Sequence, residues 1–364
     1  MKTGRDLVSL ATEIERRKLA KKDYLVPTSL MHMTDEAGTG LTLWAGETPL
    51  GVNDTAHAQI AEYCGIPPKY YQRMKAEAPG VLAINVNQWI DAKKENKMVR
   101  TLDGSARALL SDGYRRLENE DFAEAVLPVL ASLDLDIMSC EITDRRLYIK
   151  AVDPSVTREL RAHGASFGDG GHTIVKMRTA QPAITISNSE IGEGRLSVLG
   201  GLYDSFCSNL ASFGERSMKK THLGKRHELA EDTLFELLSD ETKRKTDEAL
   251  WLQVRDTVKA IFDRVKFDAL VDKVEGTIAD RIEGDPVKVV EVASKKFGAT
   301  KEQGQSVLKH LIEGGSLSRF GLYNAFTRMS QDVENYDEAT RLENVGGKII
   351  ELPSTEWNAL SKAA

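Results

Sequence analysis

Met98-Val-Arg-Thr-Leu-Asp-Gly-Ser-Ala-Arg-Ala-Leu-Leu-Ser-Asp-Gly-Tyr-Arg-Arg-Leu-Glu-Asn119 is the stretch whose reading decides the fold class. Val99 to Leu102 and Ala106 to Leu110 alternate with a period near two. Asp103-Gly104 between them suits a type I′ turn, because that turn needs positive φ at both central residues. A β-hairpin is therefore expected. From Glu118 to Leu133 the period lengthens, and Phe122, Val126, Leu127 and Leu130 share one helical face. Strands joined by a short turn and followed by a helix indicate an antiparallel sheet with inserted helices.

Reading outward supports the same class. Ile137–Thr143 and Arg146–Val152 alternate again and join at Asp144-Arg145. Thr173–Arg178, Ala183–Ser187 and Arg195–Leu199 are further expected strands, with a glycine-rich loop at 164–171. Upstream, residues 3–22 read as a helix with a basic end, which suits the macrodipole. Residues 24–50 read as short strands broken by Gly38, Gly40, Gly46 and Pro49, and residues 81–95 as another helix. Between them, residues 54–74 read as two helices separated by Gly65 and opened again by Pro67-Pro68. From residue 229 the chain reads as helical. Leu250, Val254, Val258, Ile261 and Val265 form a stripe that Leu270, Val274, Ile278 and Ile282 continue. Helices are expected near 287–297, 301–314, 319–331 and 336–344, with Gly314-Gly315 and Gly346-Gly347 as stops.

The expected class is α+β: a mostly antiparallel sheet of about six strands with inserted helices, then a helical C-terminal region. The expected divisions are 1–96, N-terminal helices and short strands; 97–228, the sheet domain ending in a basic run; and 229–364, the helical region.

Composition narrows the function classes. The net charge is −6, with 41% hydrophobic and 29% charged residues. Residues 1–228 carry 30 Lys/Arg and 30 Asp/Glu, and residues 229–364 carry 19 and 25. Any nucleic-acid contact must then come from a local basic stripe or from an oligomer that aligns several. Cys64, Cys140 and Cys207 are too few and too scattered for a disulfide framework, which suits a reducing cytoplasm. No signal peptide or membrane-spanning run is read.

Arg216-Ser-Met-Lys-Lys-Thr-His-Leu-Gly-Lys-Arg-His227 is the densest basic run, a phosphate-contacting loop or a solvated linker. Arg100, Arg107, Arg115, Arg116 and Arg195 lie on or beside expected strands, and Tyr114 precedes the Arg115-Arg116 pair. The candidate nucleic-acid contacts are thus Arg100, Arg107, Arg115, Arg116, Arg195, Arg216, Lys219, Lys220, His222, Lys225, Arg226 and His227. Cys207, His222 and His227 are spaced 15 and 5 apart, which does not match a four-ligand zinc site. Neither Gly-x-Ser-x-Gly nor a phosphate-binding Gly-Lys-Ser/Thr occurs. No catalytic residue, metal or cofactor is expected. Ser187-Asn-Ser-Glu-Ile-Gly192 reads as a tight turn or a ligand-facing loop.

Arg100-Thr-Leu-Asp-Gly, Arg107-Ala-Leu-Leu-Ser-Asp-Gly-Tyr-Arg, Ile186-Ser-Asn-Ser-Glu-Ile-Gly, Cys207 with Asn209, the run ending at His227, Glu343-Asn-Val-Gly-Gly-Lys-Ile and Glu356-Trp357 together resemble the phage/plasmid-like proteins. This is a family of unknown function carried by phages, plasmids and integrated elements. The resemblance covers roughly residues 40–360. It departs at Cys207-Ser-Asn-Leu, where such families have Cys-x-Asn-Gly. The resemblance implies a role in replication, recombination or host interference. The layout is similar in outline to phage single-strand annealing proteins, an analogy at the level of fold.

The leading expectation is a non-enzymatic, oligomeric DNA-binding protein of a mobile element that favours single strands. A second is an interaction protein (a scaffold, inhibitor or host-interference factor) that contacts a host or element protein through its acidic helical third. A third is a sequence-specific regulator. In that case Lys69, Tyr70, Gln72 and Arg73 of the 54–74 hairpin would read bases.

Overall fold

The computed structural model describes residues 1–36, 40–114, 117–163, 175–194, 196–205, 208–220 and 240–363. The α+β class, the mostly antiparallel pairing and the helical C-terminal region are as expected. The strands, however, fall into two sheets of six rather than one.

The first sheet contains β1 (Lys21–Pro27), β2 (Met31–Glu36), β3 (Gly40–Ala45), β4 (Thr48–Val52), β5 (Asn96–Leu102) and β6 (Ser105–Ser111), in the order β1-β5-β6-β4-β3-β2. The β5–β6 hairpin turns where expected, with φ of 51° at Asp103 and 77° at Gly104. Among the described strands only β4 and β6 run parallel, and the crossover between β4 and β5 carries α2 (Asp54–Cys64), α3 (Pro68–Glu77) and α4 (Pro79–Asp91). Asn53 caps α2 by accepting from the Ala56 N–H, and Gly65 ends it at φ 68°. Ile60, Tyr71, Leu82, Val86 and Ile90 from these helices pack on Leu43, Leu50, Val99 and Ala106. Because β5 pairs with β1 along its whole length, the boundary expected at 96/97 falls inside this sheet.

The second sheet is antiparallel throughout, in the order β12-β11-β10-β8-β7. Its strands are β7 (Asp136–Ile142), β8 (Leu147–Val152), β10 (Val175–Asn188), β11 (Leu196–Asp204) and β12 (Asn209–Lys220), and β9 (Arg158–His163) pairs with the first half of β10. The two strands expected at 173–178 and 183–187 are one strand. β11 pairs with β10 straight through Ala180–Ser187, including Pro182 opposite Leu202. Arg216, Lys219 and Lys220 stand on β12 rather than in a loop, since β12 runs beside β11 to its end.

Helices cover both faces of this sheet. On one side, α1 (Leu7–Ala20), α5 (Asn119–Ser132) and α6 (Asp240–Ile261) bury Leu10, Phe122, Val126, Val254 and Val258 against Ile149, Ile184, Ile186 and Val198. The chain continues as α7 (Arg264–Gly276), α8 (Pro286–Phe297), α9 (Lys301–Gly314), α10 (Arg319–Met329), α11 (Tyr336–Glu351) and α12 (Ser354–Ser361), of which α11 covers the other face, its Glu343 reaching Lys150. Phe267, Phe320, Phe326, Ile349 and Trp357 form a second core with Leu202 and Phe213. Val265 leaves the expected stripe and is exposed, because the helix breaks at 262–263 and Asp263 caps α7. Gly346-Gly347 does not stop α11, which continues to Glu351. No helix among the described residues is long and apolar enough to cross a membrane.

Candidate nucleic-acid interface

Arg100 and Arg107, both expected to meet phosphate, are buried within an ionic cluster between the two sheets. Arg100 sits on β5 opposite Asp23, where its Nε donates to Asp23 at 3.0 Å. Its other nitrogens donate to both Glu118 carboxylate oxygens and to the Glu190 carbonyl. Arg107 donates to Glu190 Oε2 at 2.8 Å. Lys21 Nζ lies among the carboxylates of Glu118, Glu120 and Glu190, the centre that three converging carboxylates would otherwise offer to a metal ion. At 0% and 5% exposure, Arg100 and Arg107 cannot reach a nucleic-acid backbone in this fold.

Within the Ser187–Gly192 segment, Asn188, Ser189 and Glu190 form a structural hub, while Ser187 lines a groove on the other face of the second sheet. Asn188 donates to the Leu117 carbonyl and to Asn119 Oδ1, and Ser189 Oγ donates to the Arg145 carbonyl. Gly192 holds φ 75°, and a Cβ there would come within 2.8 Å of Leu110 Cδ2. Burial opposes ionisation of Glu190, but Arg107 and Lys21 outweigh it and hold that carboxyl well below the usual range. Glu118 moves the other way, raised by its burial against Arg100's opposing pull and further raised by the charge on Glu190.

The accessible cationic site lies on the opposite face of the second sheet. The Ile-Thr-Ile-Ser alternation of residues 184–187 sends the two isoleucines to the α5/α6 core and leaves Thr185 and Ser187 lining a groove against α11. The register sets Tyr148 and Ser197 on either side of Ser187, and Leu199 beside Thr185. The groove has two adjoining lobes of about 330 and 380 Å³ that share Arg146, Ser197, Leu199 and Asn344. Arg146 is aimed across it by bonds to Ser187 Oγ (3.1 Å) and to the Glu193 carbonyl. Tyr148 donates to Asp337 at 2.8 Å.

Arg145, Arg146, Arg341 and Lys348 bring four cations to this groove against Glu193 and Asp337. Arg341 is committed to Glu338 and the Phe297 carbonyl. Arg145 and Lys348 are exposed and make no side-chain hydrogen bond to the described residues. Thr340 Oγ1 and Asn344 Oδ1 are buried and lack a partner among the described residues, which is unusual for buried polar atoms and leaves both able to meet a ligand.

Of the other candidates, Arg216, Lys219 and Lys220 occupy backbone positions on β12, with Lys219 the register partner of Ser197 in the groove. Arg115, Arg116, Arg195, His222, Lys225, Arg226 and His227 lie outside the described residues, as does Cys207. The hairpin of α2 and α3 forms as expected, and Lys69, Tyr70, Gln72 and Arg73 are exposed on α3, Arg73 pairing with Glu77. The groove residues Arg145, Arg146, Asn344 and Lys348 were missed from sequence. Arg145-Arg146 at a tight turn carried a local signal, but Asn344 and Lys348 on a distant helix carried none. No family model, curated protein or solved structure matches the chain.

Proposed function

We propose that this chain is a non-enzymatic DNA-binding protein of a mobile genetic element that holds a single strand along the groove between β8–β12 and α11. The observation that carries this reading is the convergence of Arg145, Arg146 and Lys348 on one polar groove, with the basic end of β12 in register beside it. Cations in that arrangement hold a sugar-phosphate backbone without reading sequence, because neutralised phosphates release counterions. The resemblance of its motifs to phage/plasmid-like proteins favours a role in recombination or replication, with annealing of complementary strands as the proposed outcome. The free cysteines Cys64 and Cys140 are both buried, and burial pushes each thiol up to about 11, which keeps both unreactive; unpaired thiols suit the cytoplasmic setting proposed here.

Self-association is the second half of the reading. An apolar groove of about 510 Å³ runs between α8 and α9, lined by Val287, Val290, Ala299 and Leu308, and Val292 and Ile312 are exposed on the same helices. This favours a partner on the helical region, and a second copy of the chain is the proposed occupant.

The test is binding of a fluorescent single-stranded oligonucleotide and its duplex across a salt series, with mass recorded by light scattering. Affinity should fall steeply with salt, and Arg145→Glu with Lys348→Glu should lower the single-strand salt slope by about 0.7 per lost phosphate contact. Salt-insensitive or absent binding overturns the DNA reading. A monomeric mass overturns self-association.

A further inference from the structure

The α11 wall of the groove carries two polar atoms that the fold leaves unmet. Thr340 is 3% exposed, and its Oγ1 has no hydrogen-bond partner among the described residues. Asn344 Oδ1, one helical turn further along, is buried and unpaired in the same way. Both residues line the lobe of about 330 Å³. Their neighbours are committed elsewhere: Tyr148 donates to Asp337, and Ser212 donates to Thr185. A buried oxygen without a donor is costly, so the lobe suits an occupant that brings N–H groups to α11.

The sheet wall presents the opposite chemistry. Arg146 is fixed by three hydrogen bonds to Ser187 Oγ and the Glu193 carbonyl. It lies against Gly194, where a Cβ would stand 1.3 Å from its Nη2. Its guanidinium therefore offers donors and a flat face in a preset position, and Leu199 adds an apolar surface. A phosphate carries acceptors alone and would set its oxygens against those of α11. A nucleobase carries acceptors, N–H donors and apolar faces together. Adenine and cytosine each have an amino group beside a ring nitrogen, whereas thymine has one N–H between two carbonyls. The Asn344 amide can accept from that amino group and donate to the ring nitrogen, and Thr340 Oγ1 can take the second N–H. Building on the single-strand function proposed above, we propose that this lobe seats one unstacked base of the bound strand and prefers adenine or cytosine to thymine. Arg145 and Lys348 at the rim hold the backbone whatever its sequence, and the lobe adds a preference at one position.

The experiment uses the full chain and oligothymidylate strands that carry, at a single central position, adenine, cytosine, thymine or purine (adenine without its amino group). The adenine and cytosine strands should bind about tenfold more tightly than the thymine and purine strands. Asn344→Leu should erase that difference. Thr340→Val, which keeps the side-chain shape, should narrow it while Tm holds or rises, because an unmet buried hydroxyl is removed. Equal, salt-sensitive binding of all four strands overturns the base subsite and leaves the backbone reading standing. Failure of every strand to bind overturns both. A Tm several degrees lower in Thr340→Val shows the hydroxyl to be bonded within the fold, and overturns the subsite whatever the affinities.

Discussion

Lys150 and Glu343 show how far a single pair departs from its sequence setting. Lys150 lies in the fully buried strand β8, and its Nζ sits 2.6 Å from Glu343 Oε2 on α11 and over the Tyr336 ring. Burial pulls the Lys150 ammonium below its ordinary range, and Glu343 only partly restores it. Lys150→Met would strand a buried carboxylate and should cost about 3–5 kcal/mol, whereas Lys150→Met with Glu343→Leu should recover most of that loss. Denaturant unfolding of the two single variants and the double checks this, and additive losses would show that the pair is not coupled. His57 provides a second prediction. It is buried, with Nδ1 2.8 Å from the Tyr71 hydroxyl, and burial followed by Lys75 lowers its pKa to about 4. The unfolded chain then binds a proton near pH 6.5 that the folded chain refuses until about pH 4. Stability must therefore fall as pH drops through that window, by on the order of 2 kcal/mol. His57→Gln should flatten this part of the pH–Tm curve and leave the acid loss below it, where Glu190 protonates.

Among the elements, α11 on β12 is the contact that closes the groove. Gly346-Gly347 looks like a helix stop, yet it lets the helix backbone approach the strand. A Cβ on Gly347 would stand 1.9 Å from the Ser212 carbonyl oxygen, and one on Gly346 would stand 2.4 Å from Thr327 Cγ2. An exposed helical glycine replaced by alanine gains about 1 kcal/mol. Here steric conflict with strand backbone reverses the sign, and Gly347→Ala should destabilise by about 1–3 kcal/mol. Thermal unfolding of that variant, with Gly314→Ala as a control where nothing lies within 4 Å, separates the two effects. The α2–α3 hairpin teaches the reverse lesson. Its left-handed glycine and its proline-opened second helix were legible, because each acts within a few residues of itself, while the capping residue is Asn53, one position before the expected start.

For the whole molecule, the Arg100–Glu118–Lys21–Glu190–Arg107 cluster is the joint between two sheets with separate cores. Glu190 takes contacts from β1, β6 and the start of α5, so removing its charge loosens every one of them. Glu190→Gln should cost about 3–5 kcal/mol, because buried Arg107 loses its carboxylate partner and Lys21 loses one of its three. It should also split thermal unfolding, with amides of β5 and β6 exchanging before those of β10. A single transition with uniform exchange would show that the apolar contacts alone couple the sheets.

The sequence by itself determined the α+β class, the Asp103-Gly104 hairpin, the helix of residues 119–132 and the helical C-terminal third. Each rests on side-chain periodicity or on a turn whose φ values few residues accept. Which arginines face solvent was decided only by tertiary structure. A period of two tells that Arg107 and Leu109 share a face of their strand, not what covers that face. Arg107 is buried because Glu190, 83 residues away, is brought onto it, whereas Arg146 opens into a groove because α11 arrives beside it. Pairings over such separations depend on how two sheets and a helical layer close together, and no local pattern encodes that.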